Sequence, residues 1–195
     1  YSAAIQVQPN MIEAHCNLGN TYRILCFFEK SIDCYNAALK LDKNKAEVYA
    51  NQGVAFQELG AFEKAIINYR KAIEIDPEDV ETHRNLGMAL LQSKNFSEGW
   101  KEFEWRCKTK KFMSVKPISR QPRWREQDPD GKTILVYAEQ GYGDSIHFSR
   151  YLTRLNALGA RVILECPKPL MGLLSEVRGV TAIIQTDDQR PQFDF

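Results

Sequence analysis

The sequence predicts an α-solenoid of helix pairs followed by an incomplete α/β parallel sheet. Three observations predict it. The segments CNLGNTY, NQGVAF and NLGMAL place Gly19, Gly53 and Gly87 at a constant spacing of 34 residues. From Lys132 the hydrophobic pattern changes from helical spacing to short β-branched runs separated by one amphipathic stretch. Between the first such run and that stretch lies a Gly-x-Gly-Asp turn, within AEQGYGDSIHF.

The 34-residue period is that of the tetratricopeptide repeat. Tyr22, Phe56 and Leu90 follow the three glycines by three residues, and Tyr35, Tyr69 and Phe103 by sixteen. Ala38 and Ala72 follow by nineteen, and Pro77 closes the second repeat. A small residue lets the first helix of a pair approach the second closely, and an aromatic ring fills the space between successive pairs. The units are therefore Ile12–Lys45, Ala46–Asp79 and Val80–Met113, with a partial unit over 1–11 in which Tyr1, Ala4 and Pro9 fall on the aromatic, small and proline positions. The chain is expected to be a fragment whose earlier repeats precede Tyr1. The third unit departs from the pattern: Gly99 replaces the usual Ala, Arg106 takes the small position, and NFSEGWKEFEWR carries two tryptophans. Such bulk suits a terminal helix that docks on something other than another repeat. His15 and His83 occupy a usually aromatic position, where packing is their expected role.

The 44% hydrophobic and 26% charged residues are those of a globular protein, and no apolar run is long enough to span a membrane. Cys16, Cys26, Cys34, Cys107 and Cys166 show neither C-x-x-C nor His-paired spacing, which points to reduced thiols, a cytoplasmic setting and no metal site. The net charge of +1 conceals a basic run, Arg106–Arg125, with eight Lys or Arg and no acid. A solvated junction or a phosphate-holding segment both fit it, and sparse aromatic interleaving disfavours nucleic acid. Residues 114–131 read as that junction, since Pro117, Pro122 and Pro129 forbid a continuous helix.

The final segment, 132–195, reads as strand KTILVYAEQ, helix SIHFSRYLTRLNALG, strand ARVILEC, short helix PKPLMGLLSEV and strand GVTAIIQT, with PQFDF opening a further apolar element. This is too little chain to complete a doubly wound domain. The turn at Gly141–Asp144 fits neither a dinucleotide fingerprint, because position 146 is Ile, nor a P-loop, because Gly-Lys-Ser/Thr is absent. It sits at the carboxyl end of the first strand, the usual ligand crevice of an α/β sheet. There Asp144 is either a helix N-cap or a group that accepts a proton from a hydroxyl, and Gly141 and Gly143 either adopt positive φ or shape a site.

Asn17, Asn51 and Asn85 each precede a repeat glycine by two residues and recur on one face of the first helix of each pair, the concave face of such superhelices. On these residues the repeat half resembles the O-GlcNAc transferases, in which asparagines at this position form a ladder along the backbone of an extended peptide. The resemblance implies a peptide or protein partner. The alternative is that each Asn satisfies a neighbouring turn. The run TILVYAEQGYGDSIHFSRYLTRLNALGARVILECPKPLMGLL, with PRW and FEWR before it, is similar to the N-terminal domain of bacterial tetratricopeptide glycosyltransferases related to ADP-heptose:lipopolysaccharide heptosyltransferases. That resemblance implies an incomplete Rossmann-like sheet, the N-terminal half of a GT-B fold. It also implies a catalytic base at Asp144 beside Gly143, with Glu139, Gln140, Gly141 and His147 lining the crevice. A lone His is more often structural. The nucleotide-sugar donor would be held by a C-terminal domain missing after Phe195, so this chain is not expected to act alone. The alternative is a non-catalytic peptide-binding scaffold.

Overall fold

The computed structural model describes residues 1–109, 121–125, 127–139 and 141–195. The chain divides into two units, Tyr1–Pro117 and Ile118–Phe195.

The first unit is helical throughout its described part. A short helix α1 (Ser2–Val7) is followed by α2 (Ile12–Ile24), α3 (Phe28–Leu41), α4 (Ala46–Glu58), α5 (Phe62–Ile75), α6 (Val80–Gln92) and α7 (Phe96–Phe103). Each helix packs on its sequence neighbours, so the stack grows one helix at a time. The glycine-to-aromatic spacing has a steric cause. A Cβ on Gly19 would stand 2.7 Å from the Tyr35 ring, and one on Gly53 would stand 2.6 Å from the Tyr69 ring. Both rings are fully buried, with Ala38 and Ala72 beside them in the core. At Gly87 the close neighbour is the Phe103 backbone, its Cα 2.7 Å away, because α7 runs nearer to α6 than its counterparts do. Gly99 also sits in a close approach, since a Cβ there would meet Leu91 at 3.0 Å.

The turns inside the three pairs share a conformation the glycines did not announce. Cys26, Gly60 and Lys94 are equivalent in the repeat and have φ of 60°, 80° and 67°. At the start of α6, the Asp79 carboxylate accepts from the Glu81 amide at 3.2 Å and from the Thr82 hydroxyl, an N-cap for that helix.

The third pair ends differently. After Phe103 the chain tightens into a 3-10 turn, Glu104–Lys108, and folds back on α6. Trp105 stacks on His83 with ring centroids 3.7 Å apart and planes 2° from parallel, and the Lys108 ammonium lies 3.4 Å from the Trp105 ring centroid. The buried His83 ring is fixed at both nitrogens, by Glu102 at 2.6 Å and the Pro77 carbonyl at 3.0 Å. His15, its equivalent, meets the Pro9 carbonyl at 2.9 Å. The tryptophan-rich departure in the third repeat is thus used, at Trp105, to close the repeat on its own first helix.

The second unit holds three parallel strands, β1 (Thr133–Tyr137), β2 (Arg161–Cys166) and β3 (Val180–Gln185), in the order β1-β2-β3. Leu135 pairs with Ile163, and Ile163 with Ala182, with a register irregularity at Val162/Ile163. Between the strands run α8 (Tyr142–Ser149), α9 (Leu152–Ala157) and α10 (Lys168–Leu174). Ile134, Val162, Leu164 and Cys166 meet Leu152, Leu170 and Leu174 in one core. The single helix expected over SIHFSRYLTRLNALG is two, because the turn at Arg150 and Tyr151 tightens, with the Tyr151 amide donating to the Phe148 carbonyl at 3.0 Å. That break lets α9 bury Leu152, whereas α8 buries none of its residues. On the far edge of β1, the Leu135 amide donates to the Phe195 carbonyl at 2.8 Å and the Phe195 amide to the Thr133 carbonyl at 3.3 Å. These are the two bonds a parallel neighbour of Ile134 makes.

Candidate functional site

Asn17, Asn51 and Asn85 lie on α2, α4 and α6, the first helices of the three pairs. Asn17 is exposed, while Asn51 and Asn85 are half-buried. Among the described residues the side-chain amides of Asn17 and Asn51 have no hydrogen-bond partner, and Asn85 accepts one bond from Arg84 at 3.2 Å. None of the three caps a turn. The alternative in which Asn serves its own turn therefore has no support in the geometry.

Near the carboxyl ends of these helices a second set of residues recurs at the repeat period. Arg23 reaches Glu58 at 3.0 Å, and their equivalents one repeat later, Gln57 and Gln92, bond at 2.7 Å. Gln57 also accepts from the buried Tyr69 hydroxyl at 2.8 Å, tying α4 to α5. Burial pushes the phenol pKa of Tyr69 upward, with the Glu58 charge adding to the effect. These contacts link successive first helices, on which the asparagines also lie. One turn before Asn17 and Asn51 stand exposed Glu13 and Glu47, with Cys16 close to both, its thiol pushed up first by burial and then by those two carboxylates.

In the second unit, the structure places Asp144 in the first turn of α8, exposed, immediately beyond β1. It is not the N-cap: that position is Gly141, at φ −54° and ψ 164°, and no side chain caps the helix. Neither Gly141 nor Gly143 has positive φ, and among the described residues nothing beyond the adjoining chain lies within 4 Å of where either Cβ would stand. Of the two alternatives for these glycines, positive φ in a tight turn is not what the backbone adopts, because the chain enters the helix through extended backbone at Gly141. Glu139 is half-buried, and Gln140 lies outside the described residues. His147 is exposed and accepts from the Arg150 guanidinium at 2.8 Å, a neighbour on its own helix turn.

The sequence reading missed one ionic pair at the same edge of the sheet. Glu165, on β2 opposite Tyr137 of β1, is only 3% exposed and is gripped by Arg190 at 2.6 and 3.3 Å. The available signal was a carboxylate inside VILEC, a run otherwise read as a buried strand.

The tetratricopeptide-repeat family model matches residues 28–60 and 55–94, wholly within the helical unit. Among solved structures, the chain is similar to MamA protein, 22% identical over 60% of this chain and 64% of that one, with a TM-score of 0.50. It is also similar to the Arabidopsis OM64 TPR domain, 26% identical over 51% of this chain and 83% of that one, with a TM-score of 0.49. A third is the first TPR of Spaghetti (RPAP3), solved bound to the HSP90 peptide SRMEEVD, 18% identical over 54% of this chain and 81% of that one, with a TM-score of 0.49. The MamA likeness concerns fold alone, and the match spans under two thirds of that chain. No curated protein is a significant match. The chain carries tetratricopeptide repeats followed by a small parallel three-stranded sheet.

Proposed function

We propose that the tetratricopeptide repeats hold an extended peptide, or an extended segment of a protein partner, along the face of α2, α4 and α6 marked by Asn17, Asn51 and Asn85. The observation that carries this reading is the recurrence of one amide per repeat with its hydrogen-bonding capacity left open at Asn17 and Asn51. A primary amide offers two donors and an acceptor to a peptide group, whose own donor and acceptor are the same in every residue, so recognition is tolerant of sequence. Each bond contributes on the order of 1 kcal/mol, so three together account for more than a tenfold change in affinity. The test is fluorescence anisotropy with several labelled peptides of unrelated sequence. Replacing Asn17, Asn51 and Asn85 by Ala should weaken every complex at least tenfold without altering the helical circular dichroism. Unchanged affinities would end the ladder reading.

A second reading concerns the α/β unit and is favoured by the placement of Asp144, exposed in the first turn of α8 beyond the carboxyl end of β1. In this reading the unit is the Rossmann-like N-terminal half of a GT-B glycosyltransferase in a cytoplasmic parent protein, whose nucleotide-sugar donor sits on a separate C-terminal domain. Asp144 deprotonates the acceptor hydroxyl, while Glu139, Gln140, Gly141, Gly143 and His147 shape the crevice. The open space beside Gly141 and Gly143 suits close approach of a ligand to the backbone. Transfer by the intact parent should be lost in Asp144→Asn. A parent that transfers no sugar at all would leave the repeats as a binding scaffold.

A further inference from the structure

We infer that a groove between the first two repeats, lined by Tyr49, Asn36 and Lys40, is a binding site for a small aromatic anion. It is an open hollow of about 520 Å³, within the size range of small-molecule sites. One wall is a stripe of α3, with Asp33, Asn36, Ala37 and Lys40 at helical spacing, and Lys43 follows in the turn to α4. Tyr49 stands two residues before Asn51, about 200° away around α4, so the groove and the asparagine-bearing face lie on opposite sides of that helix.

A buried polar residue supports the groove wall. Gln52 is 4% exposed and takes the place that Leu18 and Leu86 hold in the other two repeats. An amide in that place is costly unless its hydrogen bonds are made. Its Nε2 donates to the Asn36 Oδ1 at 2.8 Å, which engages the acceptor of Asn36. The two N–H donors of the Asn36 amide are left on the groove wall with no partner among the described residues. One repeat on, the residue equivalent to Asn36 is Arg70, which instead bridges to Glu98 of α7 at 2.7 and 2.8 Å. Asn36 cannot be bridged in the same way, because the position equivalent to Glu98 is Lys64, another donor.

The third repeat shows what the Tyr49 position accepts. Its equivalent there is His83, on which the flat indole of Trp105 lies with ring centroids 3.7 Å apart. The residue equivalent to Trp105 in the second repeat is Lys71, whose ammonium is drawn to Glu74 at 2.7 Å, and among the described residues no ring stacks on Tyr49. Charge decides the rest. Lys40 and Lys43 have no ion-pair partner among the described residues, and Asp42, the acid in the same turn, is taken by Lys45 at 3.7 Å. Asp33 lies seven residues before Lys40, about 10 Å along the helix, too far to neutralise it. An aromatic ring against Tyr49, with its anionic group toward the two ammonium groups and the Asn36 amide, meets the open donors together.

The inference does not rest on peptide binding by the repeats, nor on Asp144 acting as a base. The test is isothermal titration of the whole 195-residue chain with indole-3-acetate, tryptamine and acetate. Indole-3-acetate should bind saturably. It should bind at least tenfold tighter than tryptamine, which has the ring with the opposite charge, and than acetate, which has the charge without the ring. The double variant Lys40→Gln/Lys43→Gln, at two exposed positions, should weaken it at least tenfold. Gln52→Leu, which restores the residue of the other two repeats, should keep the helical circular dichroism and weaken binding severalfold by releasing Asn36. Absence of saturable binding by the unaltered chain, or equal affinity in the double lysine variant, would overturn the site. Unchanged affinity in Gln52→Leu would overturn the positioning of Asn36. Tryptamine binding as tightly as indole-3-acetate would overturn the anionic class, and acetate binding as tightly would overturn the aromatic one.

Discussion

The turn residues Cys26, Gly60 and Lys94 offer a quantitative test of how the repeats are built. All three sit at the same repeat position with φ between 60° and 80°, yet only one is glycine. A left-handed conformation costs a residue with a Cβ roughly 1–2 kcal/mol. Glycine returns part of this, about 0.4–1 kcal/mol, through the greater freedom of its unfolded chain. Cys26→Gly and Lys94→Gly should therefore each stabilise the repeats by about 0.5–1 kcal/mol. At about 4–8 °C per kcal/mol for a domain of 60–100 residues, that is a Tm increase of roughly 2–8 °C per site. The two effects should add, because the sites lie in different repeats. Gly60→Ala is the reciprocal experiment: among the described residues nothing beyond the adjoining chain lies within 4 Å of the new Cβ, so any loss reports the backbone alone. The assay is thermal unfolding followed at 222 nm, with Cys26→Ser to separate thiol chemistry from backbone strain. If Cys26→Gly and Lys94→Gly lowered Tm while Gly60→Ala raised it, the strain argument would be refuted.

Other outcomes follow from the same packing. Gly53→Ala drives a methyl to within 2.6 Å of the fully buried Tyr69 ring and should cost about 1–3 kcal/mol, measured by urea denaturation. Tyr69 has its phenol pKa raised by burial above the ordinary 10.0, so the unfolded chain ionises first. The stability this contributes is complete below pH 10 and is lost as pH rises beyond it, and Tyr69→Phe should flatten the fall of Tm above that pH. Trp105→Ala removes the ring stacked on His83 and should cost at least 0.5–1.5 kcal/mol, on the order of an aromatic pair beyond its buried area, read as a lower urea midpoint at constant slope.

The repeat architecture was legible because its determinants are local and recur. A glycine and an aromatic ring sixteen residues apart must meet if the two helices pack, and Gly19 with Tyr35 and Gly53 with Tyr69 do so. The parallel strands were legible for a similar reason, since short β-branched runs separated by a helix have few alternatives. The third repeat was read only as an irregularity. Nothing in NFSEGWKEFEWR says that the helix stops at Phe103, or that Trp105 turns back to lie on His83. The break between α8 and α9 was also missed, because it depends on which side chains the sheet accepts into its core.

For the candidate sites the division is sharper. Residue type and spacing alone put Asn17, Asn51 and Asn85 on one helical face and put the Gly141–Asp144 turn after the first strand. Whether those amides are already spent, whether the two glycines need positive φ, and whether Asp144 caps its helix were decided by the folded backbone. The Glu165–Arg190 pair joins residues 25 apart in the chain, through a loop that returns over the end of the sheet. The sequence by itself determined the repeat phase and the order of strands and helices, because those follow from periodicities within a few turns of chain. Only the tertiary structure decided which polar groups are spent and which stay open, because hydrogen-bond partners are set by register and loop return between distant segments.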